Sequence, residues 1–209
     1  MICEWTTRTR VTSSFFAQNT EELARGLLGM VLVHQTNEGA TAGRVVEVEM
    51  YRGMLDKAAH SYKGVPTKRT EVMFGSAGHA YVYFIYGMYY CFNVVASDIG
   101  KPEAILIRAL EPVCGLELMA KRRGLSTVDF SKSSQRRRLT SGPGRLATAM
   151  GITKEAYGLP LDRPPLYFVK EDHMIDRSVA SGPRINIGYA EEAQYFPWRF
   201  WLQGNPFVT

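Results

Sequence analysis

The sequence predicts a mixed α/β fold: a single domain over residues 1–209 with a curved antiparallel, partly barrel-like sheet, a protruding β-hairpin and surrounding helices. Runs of β-branched and aromatic residues alternate with short segments at helical spacing, which predicts strands mixed with helices. Pro and Gly turns separate these segments without a linker or an internal repeat. A chain of 209 residues that is 45% hydrophobic is long enough to bury one substantial core.

Composition narrows the class of protein and of partner. No run of eighteen apolar residues occurs, and the opening segment MICEWTTRTR lacks an apolar stretch, so we expect an intracellular protein with neither a membrane span nor a secretory signal. The three cysteines, Cys3, Cys91 and Cys114, lie far apart, which predicts reduced thiols rather than a disulfide framework or a zinc site. The net charge of +5 suits a polyanionic partner, although proteins without such a partner also reach this value.

The first helix is predicted from its capping pattern. Asn19 followed three residues later by Glu22 is typical of a helix start. Leu23 and Leu27 have helical spacing, and Gly29 is typical of a helix end. We therefore expect a short helix that buries its two leucines.

A β-hairpin follows this helix, with strands over residues 30–36 and about 41–51 and a polar turn at 37–39. In its return strand, RVVEVEMY, alternation sorts the side chains onto two faces: Val46, Val48 and Met50 point inward, and Glu47, Glu49 and Tyr51 point the other way. Two carboxylates beside a tyrosine fit the solvated side of an edge strand or a cleft with a catalytic acid or base. The pattern alone leaves both interpretations open.

The segment 52–78 has few regular signals but several polar and apolar anchors: Asp56, His60, Lys68, Arg69, Met73 and Phe74. Long loops in compact domains are usually functional or disordered, and these anchors favour a loop that folds over the cleft. His60 alone is more typical of a structural histidine, so only its neighbours could give it a functional role.

The run from 81 to 95, YVYFIYGMYYCFNVV, predicts a second hairpin, because seven of its fifteen residues are aromatic and Gly87 can supply the positive φ of a tight turn. Tyr86 and Met88 flank that turn. Alternation gives one face Tyr81, Tyr83 and Ile85 and the other face Val82, Phe84 and Tyr86. The hairpin is therefore either covered on both faces or lines a pocket for planar aromatic ligands.

A strand is predicted over 103–112, EAILIRALEP, with Arg108 among apolar residues. A buried arginine needs an acidic partner, and a glutamate of RVVEVEMY is a candidate. A helix is expected from about 115 to 123.

The segment from Lys121 to Arg145 carries eight Lys or Arg residues against one acid, Asp129. Its middle is expected to be a mobile, solvated loop. At its end, Gly142 and Pro143 precede a predicted helix, so backbone N–H groups and Arg145 could bind a phosphate. The later segments PPLYFV, RINIG and PWRFWLQG are predicted as short strands.

Together these motifs carry a resemblance to a known family. SFFAQNTEELARGLLGMVLV, RVVEVEMY, AAHS, YVYFIYGMYYCFN, ILIRALEP, SGPGRL and RFWLQGNP follow one another along nearly the whole chain. This ordered set resembles the alkyladenine (3-methyladenine) DNA glycosylases of base-excision repair. Asn186 within RINIG departs from the resemblance, since a glycine is expected there.

The resemblance implies a role for individual residues. Glu49 would hold and deprotonate the attacking water, and Arg108 would help to hold it. Tyr51, His60 and Tyr83 would enclose the flipped base, and Asn93 would reject the exocyclic amino group of normal guanine. At the hairpin tip, Tyr86 and Met88 would enter the DNA, with Tyr86 as the wedge, and Arg145 is expected to contact its backbone.

These residue types suit hydrolysis of a base from deoxyribose. Tyrosine rings can stack a flipped purine, and a carboxylate can activate water and stabilise the developing cation. The strand motif EVEMY holds no lysine for a Schiff base, so a monofunctional hydrolase is expected, with no metal and no cofactor.

The expected partner is double-stranded DNA with a damaged purine, bound by a monomer located with the DNA. Two alternatives stay open: a non-catalytic nucleic-acid-binding module and a small-molecule N-ribosyl hydrolase.

Overall fold

A computed structural model describes residues 3–171 and 178–209. Its strands are β1 Val31–Thr36, β2 Gly39–Tyr51, β3 Ala80–Ile85, β4 Tyr89–Ala96, β5 Glu103–Cys114, β6 Leu166–Val169, β7 Val179–Gly182 and β8 Arg199–Leu202. They form one antiparallel sheet in the order β3-β4-β5-β2-β1-β6, in which β8 pairs with β2 and with β7. The predicted mixed α/β fold with a curved antiparallel sheet is confirmed.

The helices are α1 Ser13–Phe16, α2 Thr20–Leu27, α3 Leu116–Arg122, α4 Ser133–Thr140 and α5 Pro143–Met150. The capping pattern at Asn19 is confirmed, because its side chain accepts a hydrogen bond from the Glu22 N–H at 3.0 Å and Leu23 and Leu27 are buried. In the described part of the chain, no helix has the length and apolar character needed to cross a membrane.

Strand β2 is the longest strand and changes partner along its edge. Its first part pairs with β1, and Glu47 to Glu49 pair with β8, while β5 runs along the other edge. The ladder with β5 shifts register between Val45 and Glu47, which is the signature of a β-bulge. The predicted common inward face of Val46, Val48 and Met50 is wrong at Val46. Val48 and Met50 lie in the main core, whereas Val46 packs in a separate cluster that includes Leu202.

Residues 133–140 of the basic segment are helix α4, so the predicted mobile loop is wrong there, whereas residues 124–132 lie outside helices and strands. Leu139 and Thr140 are buried, and the Thr140 hydroxyl donates to the carbonyl of Leu110 at 2.6 Å. Arg136 lies over the Phe207 ring at 5.5 Å, and Arg137 donates to the carbonyl of Val208 at 2.7 Å. The helix is fixed by distant parts of the chain, which local composition does not reveal.

The cysteine prediction is wrong for two of the three residues. Cys3 and Cys114 form a disulfide with Cα atoms 6.0 Å apart, and Cys91 is free and buried, as expected. The N-terminal turn with Cys3 packs in the cluster that also includes Val31 and Val33 of β1, which brings it beside the end of β5. A separation of 111 residues hides this contact from any spacing rule.

Two of the three late strands are confirmed as β6 and β8, but RINIG is not a strand. Residues 184–188 form an irregular loop after β7, a strand that the sequence did not indicate. Asn186 has a φ of 61° in this loop. A left-handed residue cannot continue a strand, and among residues with a Cβ asparagine tolerates this conformation best.

Candidate active site

The second hairpin and the end of β2 enclose a cavity of about 460 Å³, which the loop 184–189 and the start of α5 complete. The predicted site residues that line it are Glu49, Tyr51, His60, Tyr83, Tyr86, Asn93, Arg108 and Arg145. Met88 does not line it and lies 65% exposed beyond the hairpin tip. Residues scattered over nearly a hundred positions thus meet at one aromatic pocket.

Glu49 is a fully buried carboxylate on the cavity wall. Its Oε1 accepts the Ile185 N–H at 2.8 Å and lies 3.4 Å from the Arg108 guanidinium, and its Oε2 accepts the Tyr51 hydroxyl at 2.9 Å. Burial raises the pKa of Glu49 above its ordinary 4.5, although Arg108, the Ile185 N–H and the Tyr51 hydroxyl oppose the shift. The carboxylate is therefore oriented on both oxygens and faces the cavity.

Glu47 is also fully buried but does not reach the cavity wall. Its two oxygens bind Arg199 at 2.9 Å and the backbone N–H of Thr209 at 2.7 Å, together with the Thr209 hydroxyl. Its partners hold residue 209 and β8 against β2. The two carboxylates of RVVEVEMY therefore have different surroundings. The bonds of Glu47 join segments of the fold, whereas Glu49 faces the cavity.

Arg108 bridges the two carboxylates. Its Nε lies 3.3 Å from Glu47 and donates to the Thr209 hydroxyl at 3.0 Å, and a terminal nitrogen lies 3.4 Å from Glu49. The expected acidic partner of this buried arginine is confirmed. Arg108 and Arg199, which also pairs with Glu47, together supply two positive charges for the two buried carboxylates.

Aromatic rings line the hairpin side of the cavity. Along β3, Tyr81 and Tyr83 alternate onto the cavity face as predicted. His60 packs edge-on against Tyr83 with centroids 4.6 Å apart, and its Nδ1 is 2.8 Å from the Tyr81 hydroxyl. Asn93, opposite Tyr81 in the ladder, donates its amide to the Tyr81 carbonyl at 3.0 Å.

The ionisable groups on this wall are held neutral. Desolvation, with a smaller effect of the Arg69 charge, lowers the pKa of His60 to about 4. Burial raises the pKa of Tyr81 to about 12 and raises that of Tyr83 as well. The wall is therefore uncharged at neutral pH.

The hairpin tip is a tight turn with two left-handed residues. Tyr86 and Gly87 have φ angles of 54° and 67°, and the Met88 N–H donates to the Ile85 carbonyl at 3.3 Å. The turn leaves Tyr86 74% exposed at the mouth of the cavity.

The start of α5 forms the opposite rim of the cavity. Ser141, Gly142, Pro143, Gly144 and Arg145 all line the cavity. The predicted helix begins one residue earlier than expected, because Pro143 is its first residue and does not precede it. First-turn N–H groups have no partner within a helix, so they are available to an anion. Gly144 packs against the Tyr89 ring, since a Cβ there would lie 2.8 Å from the ring.

Sequence reasoning missed a buried ion pair behind the pocket. Arg184 and Asp56 are fully buried and joined by two hydrogen bonds, one of them 2.8 Å long. The Arg184 guanidinium lies 4.6 Å from the Tyr51 ring and 5.0 Å from that of Trp198. Arg184 is also the residue directly before Ile185, whose backbone N–H binds Glu49. Its members lie 128 positions apart, so no local pattern could have indicated them.

Comparisons with known proteins agree with this geometry. The sequence profile described as "Methylpurine-DNA glycosylase (MPG)" matches residues 14–206. A Bacillus cereus (strain G9842) protein named "Putative 3-methyladenine DNA glycosylase" is 52% identical over 200 residues, which cover 94% of this chain and 97% of that protein. A Bacillus anthracis (strain CDC 684 / NRRL 3495) protein with the same name is 51% identical over the same shares of the two chains. The chain belongs to the methylpurine-DNA glycosylase family.

Proposed function

We propose that this protein, acting as a monomer and as one domain over residues 1–209, binds duplex DNA, flips a damaged purine into the cavity and hydrolyses its N-glycosidic bond. Membership of the family makes it a DNA glycosylase, a hydrolase of N-glycosyl bonds. The observation that carries the proposal is the buried Glu49 carboxylate on the wall of an aromatic cavity. The lesions proposed are 3-methyladenine, 7-methylguanine, hypoxanthine and ethenoadenine.

Tyr86 starts the reaction by filling the gap that the flipped nucleotide leaves in the stack. Extrusion of a nucleotide costs a few kcal/mol, and an inserted side chain offsets part of this cost. An exposed ring at the tip of a stiff hairpin, directly at the cavity mouth, suits this role. Met88, also exposed at the tip, would lie against the neighbouring base pair.

The flipped purine then stacks among the tyrosine rings of the wall. Tyr51 comes from β2 and Tyr83 from β3, and both line the cavity with His60 at the side. Asn93 is tied to the Tyr81 carbonyl, so its amide has a fixed position from which it would reject the exocyclic amino group of normal guanine. Stacking accepts any purine, and Asn93 then selects among them.

Glu49 acts on the sugar side. Its carboxylate takes a proton from the attacking water as the bond between C1′ and the base nitrogen breaks, and its charge stabilises the oxocarbenium-like sugar. Arg108 and the Ile185 N–H fix one carboxylate oxygen, and the Tyr51 hydroxyl orients the other. The water oxygen adds to C1′, and the electron pair of the broken bond leaves with the base nitrogen. A neutral base such as hypoxanthine takes up a proton as it leaves, and Glu49 returns its proton to the base or to solvent, so the products are the free base and an abasic site.

A panel of duplexes tests the proposal, each with one of the four lesions or with undamaged purines. Abasic sites are scored after alkali cleavage. We expect release from at least one lesion duplex, no release from undamaged DNA and no strand cleavage before the alkali step. Binding without release from every duplex would favour a nucleic-acid-binding module, and release from free nucleosides alone would favour an N-ribosyl hydrolase.

A further inference from the structure

Tyr83 separates two concave surfaces. Its ring lines the cavity and also a groove of about 740 Å³ on the hairpin's flank. Lys68, Arg69 and Lys154 line this groove but not the cavity. The Tyr83 ring therefore lies between a cation in the groove and a base in the cavity, and the charge of that cation acts on the base across this ring.

Arg69 lies directly against that wall. Its guanidinium carbon is 4.9 Å from the centroid of the Tyr83 ring, and one terminal nitrogen is 3.5 Å from His60 Nε2. Arg69 lines the groove and not the cavity, so the residues that it contacts, Tyr83 and His60, stand between its charge and the cavity. One face of the ring is thus already occupied by a cation.

The second tyrosine of the pocket has a different environment. Arg184 lies 4.6 Å from the Tyr51 ring, but Asp56 binds it with two hydrogen bonds and compensates its charge. Arg69 forms no ion pair with an acidic side chain within residues 3–171 and 178–209. Glu155 also lines the groove but forms no ion pair with Arg69, so within the described residues no acid neutralises this charge by direct contact.

His60 does not add a second charge. Arginine can only donate, so Nε2 of His60 accepts and its proton lies on Nδ1, towards the Tyr81 hydroxyl. Its lowered pKa of about 4 keeps the ring neutral at the pH at which DNA is repaired. The charge that a base meets through this part of the wall is that of Arg69.

We propose that Arg69 is a specificity-determining residue that disfavours positively charged bases, such as 7-methylguanine, relative to neutral ones such as hypoxanthine. This inference rests on the proposed function. An aromatic ring attracts cations through its electron-rich faces, and a face opposite an occupied one offers less attraction. The guanidinium also repels a cationic base directly, whereas a neutral base is little affected by either effect.

The test compares single-turnover release of 7-methylguanine and hypoxanthine from duplexes of the same sequence, after subtraction of spontaneous loss. Arg69→Gln should raise the rate ratio of 7-methylguanine to hypoxanthine by about two- to fivefold, the range of an exposed cation–π contact. Arg69→Lys keeps a cation near the ring and should stay close to wild type. Lys68→Gln is the matched control: it removes the same charge from the same groove, and its ratio should not change.

The possible results separate three explanations. An unchanged ratio in Arg69→Gln, or equal losses for both lesions there and in Lys68→Gln, would make Arg69 a backbone contact and overturn the inference. A lowered melting temperature with equal loss of both activities would make it a structural residue, which also overturns it. Failure of the wild-type protein to release a base from any of the four lesion duplexes would instead refute the proposed function, whereas release of another lesion but of neither 7-methylguanine nor hypoxanthine would overturn this inference alone.

Discussion

Two glutamates of β2, two residues apart and on one face, differ only in their neighbours. Glu47 is bound by Arg108, Arg199 and Thr209, and Glu49 keeps an orientation towards the cavity. Desolvation favours the protonated form of Glu49, and Arg108 favours the charged form. The same arginine thus binds the structural carboxylate of Glu47 and favours the ionised form of Glu49, for which we propose the reactive role.

The raised pKa of Glu49 predicts the acid limb of the pH–rate profile. Glu49 must be ionised to accept a proton, so release of hypoxanthine should fall as pH drops through a pKa above the ordinary 4.5. Tyr51→Phe removes a hydrogen bond that lowers this pKa, so the limb should move to still higher pH. The measurement is single-turnover release between acidic and neutral pH. A limb below 4.5, or one that moves down in Tyr51→Phe, would contradict the assignment.

The β3–β4 hairpin joins both parts of the site, since one face lines the cavity and its tip carries the proposed wedge. Tyr86→Ser should weaken binding to lesion duplexes and reduce the fluorescence change of flipped ethenoadenine. Stability should change by less than about 0.5 kcal/mol, because an exposed tip residue packs little.

Tyr195 provides the control for this change. It is 73% exposed, nearly the same as Tyr86, but does not line the cavity. Tyr195→Ser should leave duplex binding and the flipping signal unchanged. Equal behaviour of the two variants would mean that Tyr86 is only a surface aromatic.

Helix α5 presents its first turn and Arg145 to the rim of the cavity. Arg145→Ala should weaken lesion and undamaged duplexes by the same factor and reduce the slope of log affinity against log salt by about 1. Lys170→Ala is the control, since this exposed lysine follows β6 at the far edge of the sheet from the hairpin. A change in lesion preference alone would place Arg145 in base recognition instead.

Across the molecule, the features that the sequence predicted are those set by neighbours in the chain. Both hairpins, the capped helix α2 and the start of α5 follow from alternation, turn residues and caps within a few positions. The partner of Arg108 was predictable only in part. Burial of an arginine requires an acidic partner, but the alternation pattern could not choose between Glu47 and Glu49. The expected roles of the site residues came from family resemblance rather than from these patterns.

The features that were missed depend on contacts between distant segments. Cys3 meets Cys114, Arg184 meets Asp56, and α4 is held by residues beyond position 200. The β2–β5 ladder shifts register at three places, one of them at Val46, and this shift broke the predicted alternation there. In each case the cause is the path of the chain in three dimensions, which a single sequence does not specify locally.

We propose that Glu49, and not Glu47, activates water. Glu49→Gln keeps the size of the side chain but removes its charge, so hypoxanthine release should fall by at least ~10²–10⁴-fold while duplex affinity survives. Glu47→Gln removes the charge that holds Thr209 and two arginines, so it should lower the melting temperature and reduce release less.

Single-turnover release of hypoxanthine by the two variants, with duplex affinity and melting temperature measured on the same preparations, distinguishes the two carboxylates. We predict an inactive but stable, DNA-binding Glu49→Gln protein and a less stable Glu47→Gln protein that retains more activity. Full activity in Glu49→Gln together with an inactive Glu47→Gln would assign water activation to Glu47 instead.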